Sequence, residues 1–197
     1  MKVTYVLDTN VILYNVQVLN AFEDNEVVIP MTVIEELDKI KTQEDKSGFN
    51  ARQAIRLINE LGQKGSLAKG VKLNNSSTPH KCGILRVDSS EGSDFEDFDM
   101  TVNDNRILNL ARLLMGEGKQ SVIFMTLDQT LRLKANAVGV PVGDFKLVQA
   151  YLDKICSGSQ TTPVCSRQND YKSKGRKQMK HLFYDVTLKK KDLCGNP

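Results

Sequence analysis

The sequence predicts an α/β fold of three layers, helices on both faces of a mainly parallel sheet, with a basic C-terminal tail. Three observations predict it. Short apolar runs rich in β-branched residues recur at wide spacing, apolar stripes of helical period fill the gaps, and several runs end beside an acid.

The first strand is "VTYVL" at 3–7, which ends on Asp8; Asp8 or Thr9 is placed to start a short helix across Val11–Tyr14. "VVIP" at 27–30 is the second strand. Val33, Leu37 and Ile40, with Ile34 between, form one helical stripe, and Ala51, Ala54, Ile55, Ile58 and Leu61 form another. Residues 62–83 are rich in Gly, Lys, Ser and Asn and read as a long mobile connection. After the strand "ILRV" at 84–87, six acids and no base stand between Asp88 and Asp99, which reads as a solvated acidic loop. Ile107, Leu108, Leu110, Ala111 and Leu114 make a third stripe; "VIFMT" at 122–126 and a short "VPV" at 140–142 complete the strands. The ordered domain is expected over 1–153, with 62–99 as its insert and 154–197 as the tail.

With 40% hydrophobic residues, the 197-residue chain can bury one sizeable core. No apolar run approaches the ~18–20 residues of a membrane span, and Met1–Leu7 is too short for a signal peptide, so a soluble cytoplasmic protein without membrane partners is expected. A zinc site drawing on His80, Cys82, Cys156, Cys165, His181 or Cys194 would match no knuckle or ribbon spacing, and the cysteines read as reduced thiols. The net charge of +3 hides an asymmetry, because residues 154–197 carry +7 and the rest −4. Such a tail, with Lys172, Lys174, Arg176 and Lys177 at its centre, attracts polyanions, of which nucleic acid is the commonest.

Parallel sheets bind ligands at the carboxyl ends of their strands. There, or at a following helix start, stand Asp8, the pair Glu35 and Glu36, Asp104 and Asp128. Capping explains any one of these acids, Asp104 and Asp128 especially. Together they would repel unless neutralised, and oxygen donors without His or Cys suit a hard cation such as Mg²⁺ or Mn²⁺. An aspartyl-nucleophile phosphatase would need an acid where Asn10 stands. A phospho-receiver domain would need an acidic pair where "LDTN" has one acid, and neither explains Asp104.

The stretches "VLDTNVIL" at 6–13, "VIPMTVIEELDKIK" at 28–41, "GFNARQAIRLI" at 48–58, "NDNRIL" at 103–108 and "FMTLDQTLRLKANAVGVPV" at 124–142 resemble the PIN-domain ribonucleases over about residues 3–145. The second and third are similar to the subgroup whose PIN domain precedes a PhoH-like ATPase domain. The phosphate-cradling GxxxxGK[ST] is absent from this sequence, so such an ATPase is expected on a separate chain.

The resemblance implies an acidic Mg²⁺ or Mn²⁺ site of Asp8, Glu36, Asp104 and Asp128 that hydrolyses phosphodiester bonds of single-stranded RNA. Glu36 is chosen over Glu35 because the family's glutamate precedes a leucine, which leaves Glu35 to pair with Lys39. Asp8 and Asp104 become the central ligands, Asp128 binds directly or through water, and Glu36 holds the attacking water. Thr9, Asn10, Asn103 and Thr126 are expected to orient the acids or to cap helices. Arg52 and Arg56, one helical turn apart, and Arg132 and Lys134, after Asp128, are candidate phosphate contacts. The alternatives are a non-catalytic RNA-binding or assembly module of the same fold and a toxin-type endoribonuclease. Some relatives pair into homodimers, although no exposed apolar helix here demands it.

Overall fold

The computed structural model describes residues 2–22, 24–73, 83–90, 98–116, 121–143 and 145. Contacts divide the chain into Met1–Val142 and Gly143–Pro197. The first unit holds every element described below. The tail lysines and arginine at 172–177, the four cysteines and both histidines lie outside the described residues.

The element order is β1 (Thr4–Leu7), α1 (Thr9–Tyr14), a 3₁₀ turn (Val16–Asn20), β2 (Glu26–Pro30), α2 (Met31–Ile40), α3 (Lys46–Gly62), β3 (Val71–Lys72), β4 (Ile84–Asp88), α4 (Asn103–Gly116), β5 (Val122–Met125) and α5 (Gln129–Ala137). The sheet runs β3-β4-β2-β1-β5, with β4, β2, β1 and β5 parallel and β3 antiparallel at the edge. Helices flank it, as the alternation of strand and helix requires. β1 and β5 are buried throughout because both their faces are covered, and so they read as continuous apolar runs rather than alternating ones. The chain passes from β1 to β2 on one side and reaches β5 on the other, so the order reverses at β1. In parallel sheets such a reversal marks where ligands bind, here the carboxyl ends of β1 and β5.

Most of the helical stripes bury: Val33 and Leu37 on α2, Ala51, Ala54, Ile58 and Leu61 on α3, and Ile107, Leu108, Leu110, Ala111 and Leu114 on α4, while Ile34, Ile40 and Ile55 stay half-buried at the edges. Each fully buried Leu, Ile or Val contributes roughly 1.5–3 kcal/mol. The "GFNAR" stretch holds the α2–α3 corner. Asp45 caps α3 by accepting from Gly48 N at 2.8 Å. A Cβ on Gly48 would stand 2.0 Å from Gln43 O, so the corner closes only with glycine there. Asn50 Nδ2 donates to Leu13 O at 2.6 Å, and Arg52 Nη1 donates to Lys41 O at 2.5 Å and Gln43 O at 3.0 Å.

Three regions differ from the sequence expectation. Residues 62–73 contain a built turn and the edge strand β3: Gly70, at φ +97°, turns the chain so that Val71 and Leu73 bury. Two apolar positions among polar neighbours are too weak a pattern to announce a two-residue strand. Asp88 is no solvated loop acid but the buried last residue of β4, paired with Arg86. The expected strand at 140–142 is reduced to one parallel bridge between Val142 and Phe124, with Phe124 N donating to Pro141 O at 2.8 Å.

Candidate active site

The parallel register that pairs Leu7 with Met125 brings the next residues, Asp8 and Thr126, side by side. Asp8 N continues the ladder by donating to Met125 O at 3.0 Å. Asp8 is 3% exposed and Thr126 fully buried. The carboxylate is fixed at both oxygens: Oδ1 accepts from Thr9 N at 2.7 Å, and Oδ2 accepts from Thr126 Oγ1 at 2.6 Å. Thr126 Oγ1 itself accepts from Asp128 N at 3.0 Å and from Asn10 Nδ2 at 3.4 Å. Its one proton is therefore committed to Asp8. Asn10 Oδ1 accepts from Leu127 N at 2.9 Å, which ties the start of α1 to the turn after β5.

Glu36 reaches the same place from α2. Its Oε2 accepts from Thr9 Oγ1, and its Oε1 accepts from Asn103 Nδ2 at 2.8 Å. Thr9 thus serves two acids, its backbone N–H holding Asp8 and its hydroxyl holding Glu36. Asp104 follows Asn103 in the first turn of α4. Asp128 caps α5, where its Oδ1 accepts from Thr130 N at 2.6 Å and Leu131 N at 3.0 Å.

The electrostatics bind these acids into one set. Burial pushes Asp8 up to about 6, against the hydrogen bonds from Thr126 and Thr9, and the charges of Asp104 and Glu36 raise it further. Burial, Glu36 and Asp128 likewise raise Asp104, while Lys134 pulls it down. Lys134 is fixed by donating from Nζ to Asn105 Oδ1 at 2.8 Å and lies 6.0 Å from the centre of the Phe98 ring. Asn105, which sequence reasoning passed over, also donates from Nδ2 to Asp99 O at 2.7 Å. Its side chain thereby holds the chain before α4 and the lysine together. A buried Asn directly after a candidate acid was the available signal.

Among the described residues, no group of three or more carboxylate, imidazole or thiolate side chains is already arranged as a metal-ligand set. Each acid is oriented instead by hydroxyl, amide and backbone donors. The chemistry of the donor set nevertheless fits a hard divalent ion: carboxylate oxygens, no His or Cys, and a buried Asp8 whose ionised form lacks a cation of its own.

Two of the residues singled out in the sequence meet partners within the fold. Glu35 lies 3.9 Å from Arg106 Nη1 on α4, not against Lys39. Helix-to-helix packing of α2 on α4 offers it a closer cation than its own helix does. Arg52 commits Nη1 to the carbonyls of the α2–α3 corner. Arg56 is exposed and Arg132 half-buried.

Residues 5–146 match the PIN domain family model. The chain belongs to the PIN-domain family. PIN domains are in general nucleases that work with divalent metal ions. The chain is also 40% identical over 153 residues to Protein PhoH2 of Bacillus subtilis, a match that covers 74% of this chain and 33% of that protein. It is 34% identical over 146 residues to Protein PhoH2 of Mycolicibacterium smegmatis (72% of this chain, 32% of that protein). With Protein PhoH2 of Thermobispora bispora it shares 32% identity over 153 residues (73% and 32%). The matches span about a third of the length of these relatives. No described helix of this PIN-domain chain is long and apolar enough to cross a membrane.

Proposed function

We propose that this PIN domain hydrolyses phosphodiester bonds of single-stranded RNA, with Asp8, Glu36, Asp104 and Asp128 holding Mg²⁺ or Mn²⁺. One observation carries the reading. Asp8 is buried at the carboxyl end of β1 with its ionised form disfavoured, and the charges that face it are those of further acids. A scaffold gains nothing from such repulsion, whereas a cation-binding site requires it. The bound ion supplies charge relief at the phosphate and at the leaving oxygen, and acidifies water.

The chain's own residues divide the rest. Thr9 N and Thr126 Oγ1 hold Asp8 in one rotamer, so that it meets the cation without reorganising. Thr9 and Asn103 present Glu36 to orient the attacking water and accept its proton. Asp104 completes the central pair of ligands, and Asp128 assists from the start of α5. Lys134, beside Asp104, offers a positive charge to the RNA phosphate. Arg56, Arg132 and the tail residues Lys172, Lys174, Arg176 and Lys177 add attraction for the strand. A PhoH-like ATPase, on the same or a separate chain, is the partner that the names of the relatives suggest.

The test is cleavage of end-labelled single-stranded RNA by the wild type and by Asp8→Asn. The expected result is cleavage with Mg²⁺ or Mn²⁺, none with chelator, and none in the variant. RNA binding without metal-dependent, Asp8-dependent cleavage would replace this reading with that of a non-catalytic binding module.

A further inference from the structure

A second concavity lies one strand away from the acids, at the carboxyl ends of β2 and β4. It measures about 330 Å³ and opens between the start of α2 and one face of α4. Met31 and Met100 line it with apolar surface, while Thr32, Asn109, Arg106 and the buried Asp88 supply polar groups. Thr32 and Asn109 are each only 6% exposed. Neither side chain has a hydrogen-bond partner among the described residues. Neither is a buried, unmatched atom of the kind Arg86 Nη2 is, so the Asn109 carboxamide and the Thr32 hydroxyl open onto the cavity, where solvent or an entering polar ligand can meet them.

The cavity shares the helices α2 and α4 with the acid site, although none of the four acids lines it. Glu35, at its edge, adjoins Glu36 on α2, and Arg106 stands two residues beyond Asp104 on α4. Asn109 is five residues past Asp104, roughly 7–8 Å along the helix axis. The volume is at the low end for small-ligand pockets, the size of one base with its sugar rather than of a dinucleotide.

We propose that this cavity holds one unstacked base of the RNA strand, next to the nucleotide whose phosphate reaches the acids. The proposal rests on the ribonuclease reading above. The thioethers of Met31 and Met100 pack on the base, since sulfur makes favourable contacts with aromatic rings. The Asn109 carboxamide places a donor beside an acceptor, the pairing best suited to adenine, and Thr32 adds a third polar contact. Arg106 stands at the rim, where the backbone leaves. The site thus gives the enzyme a base preference at one position of its substrate, adenine first.

The full chain is tested in two arms. In the first, binding of the four ribonucleoside monophosphates is followed by calorimetry. AMP binds best, and Asn109→Leu or Thr32→Val erases the preference roughly ten-fold. In the second, cleavage of uridine oligonucleotides carrying one adenosine at successive positions is mapped. The wild type cuts at a fixed offset from the adenosine, and Asn109→Leu loses that offset. Asn109→Leu and Thr32→Val that fold as the wild type does, by circular dichroism, yet keep both preferences would overturn the proposal. So would AMP selectivity without an effect on oligonucleotide cleavage, which would mark a free-nucleotide site. AMP selectivity dependent on Asn109, in a wild type that cuts no RNA, would support the base pocket while removing the nuclease reading.

Discussion

Asp8 and Asp88 occupy matching places and have opposite fates. Asp88 ends β4, Asp8 directly follows β1, and the two are 6% and 3% exposed. Each accepts a backbone N–H from a residue just beyond it, Ser90 at 2.8 Å and Thr9 at 2.7 Å. The difference is the cation. Arg86 Nη1 donates to Asp88 Oδ2, and Arg86 Nε donates to Glu26 Oε1 at 3.0 Å, so the fold supplies its own counter-charge. Burial raises Asp88, but hydrogen bonds from Ser90 and Arg86 outweigh it and leave the acid below the usual carboxylate range. At Asp8 burial dominates, the neighbouring charges of Asp104 and Glu36 add to it, and the acid rises to about 6. A buried strand-end carboxylate with a resident arginine is structural; one facing other acids is left without a counter-charge of its own.

The comparison breaks most visibly on activity. Asp8→Asn keeps the shape and much of the hydrogen bonding but removes a ligand charge, and RNA cleavage is expected to fall roughly 10³-fold or more. Next comes the counter-charge at the other site. Arg86→Met strands the half-buried Glu26 and the buried Asp88 without their cation, which is expected to cost about 3 kcal/mol in urea unfolding. A loss under 1 kcal/mol would mean that water already carries the pair, as the buried, unpartnered Arg86 Nη2 invites.

The pH dependence of stability sharpens the contrast. Asp8 ionises at its ordinary 3.8 in the unfolded chain but near 6 in the fold, so between those values the unfolded state has lost a proton that the native state keeps. Its contribution is therefore fully present below about pH 4, is lost as pH rises through 6, and is then flat. The rise corresponds to roughly 2–3 kcal/mol. Asp88 runs the other way, stabilising above pH 4 and losing that contribution as the medium acidifies. Metal-free wild type minus Asp8→Asn, measured by thermal unfolding from pH 4 to 8, should show the Asp8 step alone. Saturating Mg²⁺ should add stability at pH 7 to the wild type and little to the variant.

Smaller still is the effect of the donors that aim the acids. Thr9→Val removes the hydroxyl from Glu36 and leaves the backbone N–H on Asp8, so cleavage should slow roughly ten-fold with the metal requirement unchanged. Unaltered kinetics would show that Asn103 alone positions Glu36.

Much of this architecture was legible in the sequence because it rests on periodicity: stripes at 33–40, 51–61 and 107–114, and apolar runs that bury on both faces. The acids were legible one at a time, since each follows a strand or opens a helix. What sets Asp8 beside Thr126 is register, Leu7 opposite Met125, and no pattern along one chain states which strands will be neighbours. The same limit hid Arg86 from Glu26, sixty positions apart, and Glu35 from Arg106. Asp88 read as part of an acidic run because charge composition cannot tell a strand's last residue from the loop it enters. Thr32 and Asn109 carried no signal at all: a polar residue inside an apolar stripe means something only when the cavity beside it is seen.

The smallest expected effect separates scaffold from site within a single stretch. "GFNAR" resembles a functional motif, yet Gly48, Asn50 and Arg52 each serve the α2–α3 corner or its contact with α1. Arg52 is exposed, so its bonds to Lys41 O and Gln43 O are made in competition with water. Arg52→Ala is accordingly expected to cost about 1 kcal/mol of stability. The slope of log RNA affinity against log salt should stay as in the wild type, because no phosphate contact is removed. A slope shallower by about one would instead place Arg52 on the nucleic acid and make this corner part of the binding surface.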